Sequence, residues 1–490
     1  MIIYLISVFI QIDTMKVIGR TTQKQELKEA LASNKPEMIA LVGRRRVGKT
    51  YLVSQIYNDH IDFEITGLQY GNKREQLENF MLRMGKHFPN FELNTIPKSW
   101  LKAFDSLTQA LESLEKDTKL VIFLDELPWL ATRKSGFLTG LSYFWNSWAV
   151  KQNIVVVICG SAASWMIKKV INNRGGLHNR VTRLLYLYPF TLAETEAYCQ
   201  DRNIRLSRYQ ILQLYMTMGG IPMYLDQIKR GLSAIQNIQN ICFAPSGYLR
   251  NEFERLFASL FKDYKKHVAI IRALATKRKG LTRLEIIKAT KLTNSGKLTD
   301  ILYELETSGF ITIYGGYGKK VKESLHRLTD AYSLFYLTFL EPLGKNTQLD
   351  FTKLSDLPSW KTWSGYTFEN ICLVHIDQIR RALSIAGMAS SISSFIARPK
   401  DGLPGTQIDL LIDRSDQSIN VCEIKFSAEN YLLTKKDVEN IQTKKDVFRY
   451  HTKTKKHLFT TIITTMGMVE NSHKLNTVDQ VVVLDDLFLV

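Results

Sequence analysis

The sequence predicts a multidomain α/β protein, and three observations support this fold class. The apolar run Ile39–Gly43 leads into a glycine-rich loop and then a helix, an order typical of parallel α/β sheets. A second apolar run begins at Lys119 and is continuous, as is typical of the buried strands of parallel sheets. It ends in a pair of acidic residues. Near the other end of the chain, the apolar runs Thr406–Arg414 and Ser418–Phe426 predict a second sheet.

The composition fits a soluble protein of several domains and excludes a membrane protein. The chain has 490 residues, which is enough for three or four domains of ordinary size. Hydrophobic residues make up 45% of it, yet no apolar run approaches the roughly 20 residues that span a bilayer. The 5 cysteines are scattered without C-x-x-C spacing. We therefore expect reduced, buried thiols in a cytoplasmic protein, with neither a zinc site nor a disulfide framework.

The charge balance favours an acidic partner. Lysine and arginine total 65 against 47 aspartate and glutamate, a net charge of +18, which favours nucleic acid. A solvated lysine-rich surface is the alternative. The apolar leader at residues 1–15 lacks the basic start and the cleavage site of a signal peptide, and Met15 is an alternative start.

The glycine-rich loop after the first strand matches the pattern G-x-x-x-x-G-K-[ST]. In such a loop, backbone N–H groups close on phosphates and the following helix adds a favourable dipole. Lys49 is predicted to reach the β- and γ-phosphates of a nucleotide, and Thr50 to hold Mg²⁺. The predicted nucleotide-binding residues here are Gly43, Arg44, Arg45, Arg46, Val47, Gly48, Lys49, Thr50 and Tyr51.

The acidic pair after the second strand has the pattern of a Walker B motif. Asp125 is predicted to hold Mg²⁺ at the carboxyl end of the strand, and Glu126 to activate the attacking water as a general base. A third apolar run, beginning at Asn153, finishes in Gly160–Ser161. Ser161 is a candidate sensor of the γ-phosphate, and capping of the following helix is its alternative role.

Together these motifs resemble the archaeal-type P-loop ATPases of the AAA/STAND lineage. The resemblance also rests on three further segments: "VIGRTTQKQELKEAL" from Val17, "HNRVTRLLYLYPFTLAE" from His178 and "MGGIPMYL" from Met218. It implies that Gly19 and Arg20 line the nucleotide base and that Pro222, on a helical lid, touches it from the other side. It also implies an arginine acting on phosphate shortly before Pro-Phe. Arg180 is the best match, Arg174 and Arg183 are rivals, and a surface role for Arg180 is the alternative.

The segment after the lid has the element order of a winged helix. Helical periodicity gives three helices and then a glycine-rich hairpin, with Thr282 and Asn294 as predicted caps. Leu298, Ile301, Leu302 and Leu305 form the inward stripe of the third helix. Four lysines on or near this helix and the hairpin are positioned for phosphate contacts: Lys297, Lys319, Lys320 and Lys322. A protein interface or a lid is the alternative role for this module.

The C-terminal region resembles the core of PD-(D/E)XK nucleases. A helix carrying Tyr366–Ile379 precedes the two charged strands, and a basic helix and two further strands follow, "HLFTTIITT" and "VVVLDDLFLV". Asp409 and Glu423 are predicted to face one another and hold a divalent cation together with the backbone oxygen of Ile424. Lys425 would serve the hydrolytic water, and Glu369 is the candidate third carboxylate. The alternatives are a solvated ion pair at a strand edge, or an intact fold without activity.

The sequence therefore predicts an ATPase that uses ATP and Mg²⁺ and acts on nucleic acid, with DNA favoured over RNA. The alternative is a STAND-like regulatory ATPase with a protein partner and an inert C-terminal binding domain. A homo-oligomer is a further possibility, and no membrane partner is expected. The predicted domains are the leader at 1–15, the P-loop core at 16–185, the helical lid at 186–250, the winged helix at 251–345 and the nuclease-like domain at 346–490.

Overall fold

The computed structural model describes residues 16–92, 95–172, 175–277, 279–319, 323–343, 351–354 and 358–490. The predicted leader, Arg174, Lys320 and Lys322 lie outside these residues. Among the described helices, none combines the length and the apolar character that crossing a membrane requires.

A five-stranded parallel sheet forms the centre of the first domain. Its strands are β1 Glu37–Val42, β2 Ile61–Thr66, β3 Leu120–Asp125, β4 Ile154–Gly160 and β5 Arg183–Tyr186. They lie in the order β2-β3-β4-β1-β5, and every neighbouring pair is parallel. The carboxyl ends of β1, β3 and β4 therefore meet at one edge of the sheet, where the predicted motifs begin.

Helices cover both faces of this sheet. Met38, Ala40 and Val42 of β1 pack into one hydrophobic cluster, while Ile39 and Leu41 pack into another, because alternate side chains of a strand point to opposite faces. The helices of this domain are α1 Thr21–Ala32, α2 Lys49–Tyr57, α3 Lys73–His87, α4 Trp100–Glu112, α5 Leu127–Leu130, α6 Phe137–Ser147 and α7 Ala163–Met166.

A group of helices follows β5 where the lid was predicted. These helices are α8 Leu192–Asp201, α9 Arg208–Met218, α10 Pro222–Leu225, α11 Ala234–Ile238 and α12 Glu252–Leu260. Thr191 caps α8, since its hydroxyl accepts from the backbone N–H of Glu194 while the Glu194 carboxylate accepts from that of Thr191.

Three helices and a hairpin come next, in the predicted order. They are α13 Tyr264–Thr276, α14 Arg283–Thr290, α15 Gly296–Thr307 and the antiparallel strands β6 Ile311–Tyr314 and β7 Leu325–Leu328. We call this unit the helix–hairpin module. The predicted stripe from Leu298 to Leu305 is buried, and Thr282 forms a capping box on α14. The predicted cap Asn294 is wrong, because Ser295 occupies the cap position and the Asn294 amide oxygen accepts from Arg283.

A second, mixed sheet forms the C-terminal region. Its strands are β8 Ser390–Ala397, β9 Thr406–Arg414, β10 Ser418–Lys425, β11 His457–Thr464 and β12 Gln480–Val483. They lie in the order β12-β11-β10-β9-β8, with β9 antiparallel to both of its neighbours. The helices of this region are α16 Ala331–Phe335, α17 Phe351–Leu354, α18 Pro358–Val374, α19 Ile376–Ala382, α20 Lys435–Thr452 and α21 Ser472–Thr477.

Two C-terminal element predictions need correction. The helix predicted across Tyr366–Ile379 is two helices, which are separated at His375. The last predicted strand ends at Val483 and continues as a 3₁₀ helix, Leu484–Phe488, whose Asp486 side chain accepts from the Val483 backbone N–H. In this second case apolar composition alone did not reveal the local cap.

One hydrophobic cluster runs from the first sheet through the lid and the helix–hairpin module into the C-terminal region. The domains are therefore packed together. All 5 cysteines are buried free thiols, as predicted: Cys159, Cys199, Cys242, Cys372 and Cys422.

Candidate functional site

The predicted phosphate-binding loop lies between β1 and α2. Gly43 is required by a close approach, because a Cβ there would lie 2.3 Å from the backbone oxygen of Leu187. Lys49 is buried, and its Nζ donates to the backbone oxygens of Gly43 and Arg44, both at 2.9 Å. Among the described residues no carboxylate forms an ion pair with Lys49, so its ammonium lacks an anionic partner.

The Walker residues meet at the carboxyl edge of the first sheet. Thr50 Oγ1 donates to Asp125 Oδ2 at 2.9 Å, and Asp125 is buried. The other Asp125 oxygen accepts from the Glu126 backbone N–H at 2.9 Å. A hydroxyl beside a carboxylate is an oxygen donor set that suits Mg²⁺, so these residues fit the predicted cation.

Ser161 contacts Glu126. Its hydroxyl donates to Glu126 Oε2 at 2.8 Å, and its backbone N–H donates to the same oxygen at 3.2 Å. The alternative of a helix cap is wrong, because Ala162 holds the cap position of α7 and provides no side-chain bond. Ser161 therefore fixes the carboxylate that we predict to be the general base.

A cavity of about 760 Å³ opens between the loop and the lid, and most of the predicted nucleotide-binding side chains line it. The predicted residues along it are Arg20, Arg45, Arg46, Val47, Gly48, Lys49, Thr50, Tyr51, Glu126 and Pro222. Its size suits a nucleotide, since ligand pockets commonly measure about 300–1,000 Å³.

Arg20 lines one wall of this cavity, and its neighbour Gly19, which was also predicted to contact the nucleotide base, does not line it. Gly19 has a φ of +61°, and a Cβ there would lie 2.4 Å from Glu194 Oε1, so this position favours glycine. Arg20 donates to the backbone oxygen of Val47 at 3.2 Å and lies 4.6 Å from the Phe190 ring centroid. Burial lowers the pKa of Arg20, and the charge of Glu194 opposes this. The wall is thereby attached to the phosphate-binding loop.

The three loop arginines point in different directions. Arg45 and Arg46 line the cavity, where Arg45 lies 5.4 Å from the Trp129 ring centroid and Arg46 pairs with Glu252. The side chain of Arg44 instead forms a buried ion pair with Asp330, Nη1 to Oδ1 at 2.5 Å. Arg44 was predicted to contact the nucleotide, but its side chain does not line the cavity.

Sequence reasoning missed a cluster on the lid side of the cavity. Tyr198 and Arg202 of the α8 end line it with Asp226, just after α10. Arg202 lies 3.8 Å from the Tyr198 ring centroid and 3.1 Å from Asp226 Oδ1, which also accepts from the Tyr198 hydroxyl. Met223 and Tyr248 complete this wall. No spacing pattern links these residues, and only the fold brings them together.

The arginine predicted to act on phosphate is not part of the cavity. Arg180 is exposed and does not line it. Its rival Arg183 pairs with Glu26 and Glu29 of α1. Arg202 is the cavity arginine nearest in sequence to these candidates, and the role of Arg180 stays a prediction.

Two of the predicted C-terminal carboxylates, Asp409 and Glu423, lie on the neighbouring strands β9 and β10. Leu410 of β9 pairs with Cys422 of β10, so the next antiparallel pair sets Asp409 opposite Glu423. Glu423 accepts from Lys425 at 2.8 Å and from Lys444 of α20 at 2.6 Å. Burial alone would raise the pKa of Glu423, but the charges of Lys444 and Lys425 hold it below its ordinary value.

Glu369 on α18 approaches the same place. Its Oε2 accepts from Arg327 Nη2 of β7 at 2.9 Å. Burial raises the pKa of Glu369 to about 7, and the charges of Asp409 and Glu423 act in the same direction against that of Arg327. The three predicted carboxylates are therefore close enough to interact electrostatically. Glu423 does form an ion pair with Lys425, but β10 is the central strand and the Glu423 side chain is only 13% exposed, so this pair is not the solvated edge-strand pair of the predicted alternative.

The space beside Asp409 is small. A cavity of about 20 Å³ is lined by Asp409, Gln407, Arg327 and Lys279, among others. In the described part of the chain, no group of three or more His, Cys, Asp or Glu side chains converges closely enough to hold a metal ion. The three carboxylates are thus neighbours, but they do not converge on one point where a metal ion could bind all of them. Metal binding by Asp409 and Glu423 stays a prediction.

Comparisons with known proteins agree with the first half of this description. Residues 18–228 match a family described as an ATPase domain predominantly from Archaea. An uncharacterized protein of Methanocaldococcus jannaschii is 22% identical over 436 residues, which cover 88% of this chain and 91% of that relative. The matched region includes β1 to β5 and most of the lid, so an archaeal-type ATPase domain occupies this part of the chain.

Two solved structures are similar in part. A Walker-type ATPase of Pyrococcus abyssi is 18% identical, covers 66% of this chain and 96% of its own chain, and has a TM-score of 0.45. The Aeropyrum pernix ORC2 protein, solved as ADPNP–ADP complexes, is 13% identical, covers 64% of this chain and 91% of its own chain, and has a TM-score of 0.41.

Proposed function

We propose that this protein binds and hydrolyses ATP and uses its nucleotide state to control Mg²⁺-dependent cleavage of nucleic acid by its C-terminal region. The observation that carries the ATPase part is the hydrogen bond from Thr50 to Asp125, beside a buried Lys49 that has no anionic partner among the residues the structure describes. Two oxygen atoms that would bind Mg²⁺ and one ammonium that would bind phosphate thus lie together at one edge of the sheet.

Each Walker residue then has a separate task. Lys49 binds the β- and γ-phosphates, and Thr50 and Asp125 hold the cation that neutralises phosphate charge. Glu126 accepts a proton from the attacking water as the oxygen of that water bonds to the γ-phosphorus and the bridging oxygen leaves with ADP. Ser161 holds the Glu126 carboxylate in place by its two hydrogen bonds.

The C-terminal part of the proposal is supported by the placement of Asp409, Glu423 and Glu369. Asp409 and Glu423 would hold Mg²⁺, which supplies charge stabilisation at the scissile phosphate. Lys425 would orient the water whose oxygen bonds to phosphorus as the phosphodiester P–O bond breaks. The net charge of +18 supports a nucleic-acid partner, with DNA favoured.

Metal-dependent cleavage of single-stranded DNA, duplex DNA and RNA tests this proposal. We expect Mg²⁺-dependent products from the full chain with at least one substrate and none with EDTA. Lys425→Ala and Asp409→Asn should each abolish cleavage, and Lys455→Ala, an exposed lysine away from the carboxylates, should retain it. No cleavage by the wild type with any substrate, at any nucleotide state, would contradict the nuclease part.

A second candidate function is a regulatory ATPase whose C-terminal region binds a protein. It is favoured by the two lysines that already neutralise Glu423. Residues 346–490 also contain equal numbers of basic and acidic side chains, so this region alone does not attract nucleic acid at long range. Nucleotide-dependent self-association without nucleic-acid affinity would support this candidate.

A further inference from the structure

A short segment connects the phosphate-binding loop to the C-terminal carboxylates. We call Arg327–Asp330 the coupling segment; it comprises the last two residues of β7 and the two residues before α16. Its two charged side chains point to different sites, since Asp330 pairs with Arg44 and Arg327 pairs with Glu369. A chain of only four residues therefore touches both candidate sites.

The contact at the loop end is buried and specific. The Arg44 and Asp330 side chains are 3% and 6% exposed, and the second Asp330 oxygen caps α16 by accepting from the Ser333 backbone N–H at 2.9 Å. The Arg44 guanidinium also lies 4.5 Å from the Phe310 ring centroid, and the Phe310 backbone oxygen accepts from the N–H groups of Thr329 and Asp330. Breaking this pair would strand a buried charge, so Arg44 and the coupling segment are held to move together.

The contact at the carboxylate end lies beside the place where a cation is predicted. The guanidinium of Arg327 is hydrogen-bonded to Glu369 and lines the small cavity beside Asp409. That cavity, of about 20 Å³, has room for roughly one water molecule. A divalent cation with its water ligands and a phosphate group does not fit there, and the fixed positive charge opposes a second cation.

The hairpin of the helix–hairpin module also packs against the C-terminal region, next to the carboxylates. The Tyr317 backbone N–H donates to the backbone oxygen of Ser394 on β8 at 2.8 Å. The Tyr317 ring lies 4.9 Å from the Phe448 ring of α20, and Asn370 donates to the backbone oxygen of Leu328 at 3.1 Å. The helix–hairpin module is thus docked on the C-terminal sheet over the carboxylates.

We propose that Arg327 is an internal counter-cation that keeps the C-terminal carboxylate site closed, and that the phosphate-binding loop controls this latch through the Arg44–Asp330 pair. The latch rests on the proposed function, because it explains how nucleotide state reaches the carboxylates. Opening requires the coupling segment to withdraw Arg327, which frees Glu369, Asp409 and Glu423 to bind a divalent cation.

Nucleotide binding at the phosphate-binding loop should change the contacts of Arg44. The Lys49 ammonium donates to the Arg44 backbone oxygen, and this bond competes with phosphate for the same ammonium. A bound nucleotide therefore changes the hydrogen bonding of the residue that holds Asp330. By thermodynamic linkage, cation binding at the carboxylates must change nucleotide affinity by the same factor.

Binding of Mn²⁺ to the nucleotide-free full chain, followed by electron paramagnetic resonance, tests the closed latch. Arg327→Gln removes the charge and should raise Mn²⁺ affinity by about tenfold or more at one site. Adding Asp409→Asn to Arg327→Gln should remove the gained site, and Arg327→Lys, which keeps the charge, should not create it. Arg272→Gln is the matched control, because Arg272 pairs with Glu254 and Glu341 and not with the carboxylates.

The outcomes separate the latch from the nuclease proposal. Unchanged Mn²⁺ affinity in a folded Arg327→Gln protein, or a gain that survives Asp409→Asn, would overturn the latch even if the wild type cleaves nucleic acid. A gained site that depends on Asp409 supports the latch even if no variant cleaves any substrate. Thermal melting of each variant establishes that the protein is folded before the titrations are compared.

The control by the loop is tested with a non-hydrolysable ATP analogue. In the wild type, the analogue should add a second bound Mn²⁺ besides the one at the loop. In Asp330→Asn, the number of bound Mn²⁺ at the carboxylates should no longer depend on the analogue, while asparagine still caps α16. An analogue that leaves the carboxylate site of the wild type unchanged would overturn this control.

Discussion

At the residue scale, the nucleotide site separates binding from hydrolysis. In the described part of the chain, Lys49 is the only lysine whose ammonium bonds to the loop's own carbonyl groups, whereas Glu126 lies after β3 and is held by Ser161. These two residues should therefore fail in different ways when they are changed.

The first prediction concerns Lys49 and Glu126. Lys49→Ala should weaken ATP binding, because the cation for the β- and γ-phosphates is lost. Glu126→Gln should keep ATP affinity and lower the hydrolysis rate by roughly 10²–10⁴-fold, the usual contribution of a general base. Fluorescent-nucleotide binding and steady-state phosphate release measure the two effects. Equal turnover by the wild type and Glu126→Gln would remove Glu126 from the role of base.

The second prediction distinguishes two roles of Ser161. If Ser161 positions Glu126, Ser161→Ala should lower the hydrolysis rate and leave the preference for ATP over ADP unchanged. Ser161→Thr keeps the hydroxyl and should restore most of the rate. A loss of the ATP preference in Ser161→Ala, measured by competition binding, would instead indicate contact with the γ-phosphate.

The sequence was informative for residues within one local pattern and uninformative for those assembled by the fold. Lys49 and Thr50 follow from the loop pattern, and Asp125 follows from its strand end. Arg44 and Asp330 are 286 positions apart in the sequence, and nothing in either local sequence indicates their ion pair. The lid cluster around Arg202 was missed for the same reason.

At the element scale, strands were predicted more accurately than helix breaks. The bounds of β9 match the prediction because apolar runs between turn residues define strands well. The break between α18 and α19 was not foreseen, and the residue at the break, His375, contacts another domain. His375 accepts from the Leu192 backbone N–H of α8 at 3.0 Å through Nε2, and its Nδ1 is 2.9 Å from the Ile371 backbone oxygen.

The third prediction uses this inter-domain bond. Burial lowers the pKa of His375 to about 4 from an ordinary 6.5. Between these values the unfolded chain binds a proton that the folded chain does not, so stability is present above pH 6.5 and is lost as the pH falls towards 4. Lowering the pH from 6.5 to 5 should cost about 2 kcal/mol through this residue.

Thermal melting at several pH values checks this prediction. His375→Gln should lower the melting temperature at neutral pH and flatten its decline between pH 6.5 and 5. The exposed His178 supplies the control, since His178→Gln should leave the wild-type profile unchanged. Identical pH profiles for the wild type and His375→Gln would contradict the buried neutral state.

The third helix of the helix–hairpin module is poorly suited to enter a DNA groove. Besides Lys297, α15 carries Asp300, Glu304 and Glu306, so its net charge is negative. Lys168 of the ATPase domain also pairs with Asp300 and lies 5.2 Å from the Tyr303 ring centroid. These contacts favour the predicted alternative, in which this module serves as a protein interface or a lid.

At the scale of the whole molecule, the excess positive charge lies in residues 1–345, because the remainder is balanced. Long-range attraction of nucleic acid would therefore come from the ATPase and helix–hairpin regions, and local contacts near the carboxylates from the basic helix α20. Lys435 and Lys436 are exposed at the start of α20, whose Lys444 reaches Glu423.

The fourth prediction concerns this surface. Nucleic-acid affinity should fall steeply with salt, and changing Lys435 and Lys436 together to alanine should reduce the slope by about 2, one for each lost phosphate contact. The matched comparison is the hairpin triple variant of Lys319, Lys320 and Lys322, which should reduce the slope by less than the α20 variant does. Fluorescence anisotropy over a salt series measures both. The reverse ranking would place the binding surface on the hairpin.

The central claim is that the nucleotide state of the first domain governs the carboxylate site of the last, and the rate of nucleic-acid cleavage tests it most directly. Cleavage should be compared without nucleotide, with ATP and with ADP, in the wild type, Lys49→Ala and Arg327→Gln. We predict that the wild type cleaves faster with ATP, that Lys49→Ala does not respond to ATP, and that Arg327→Gln cleaves without it. Equal cleavage rates in all nucleotide states of the wild type would contradict the claim.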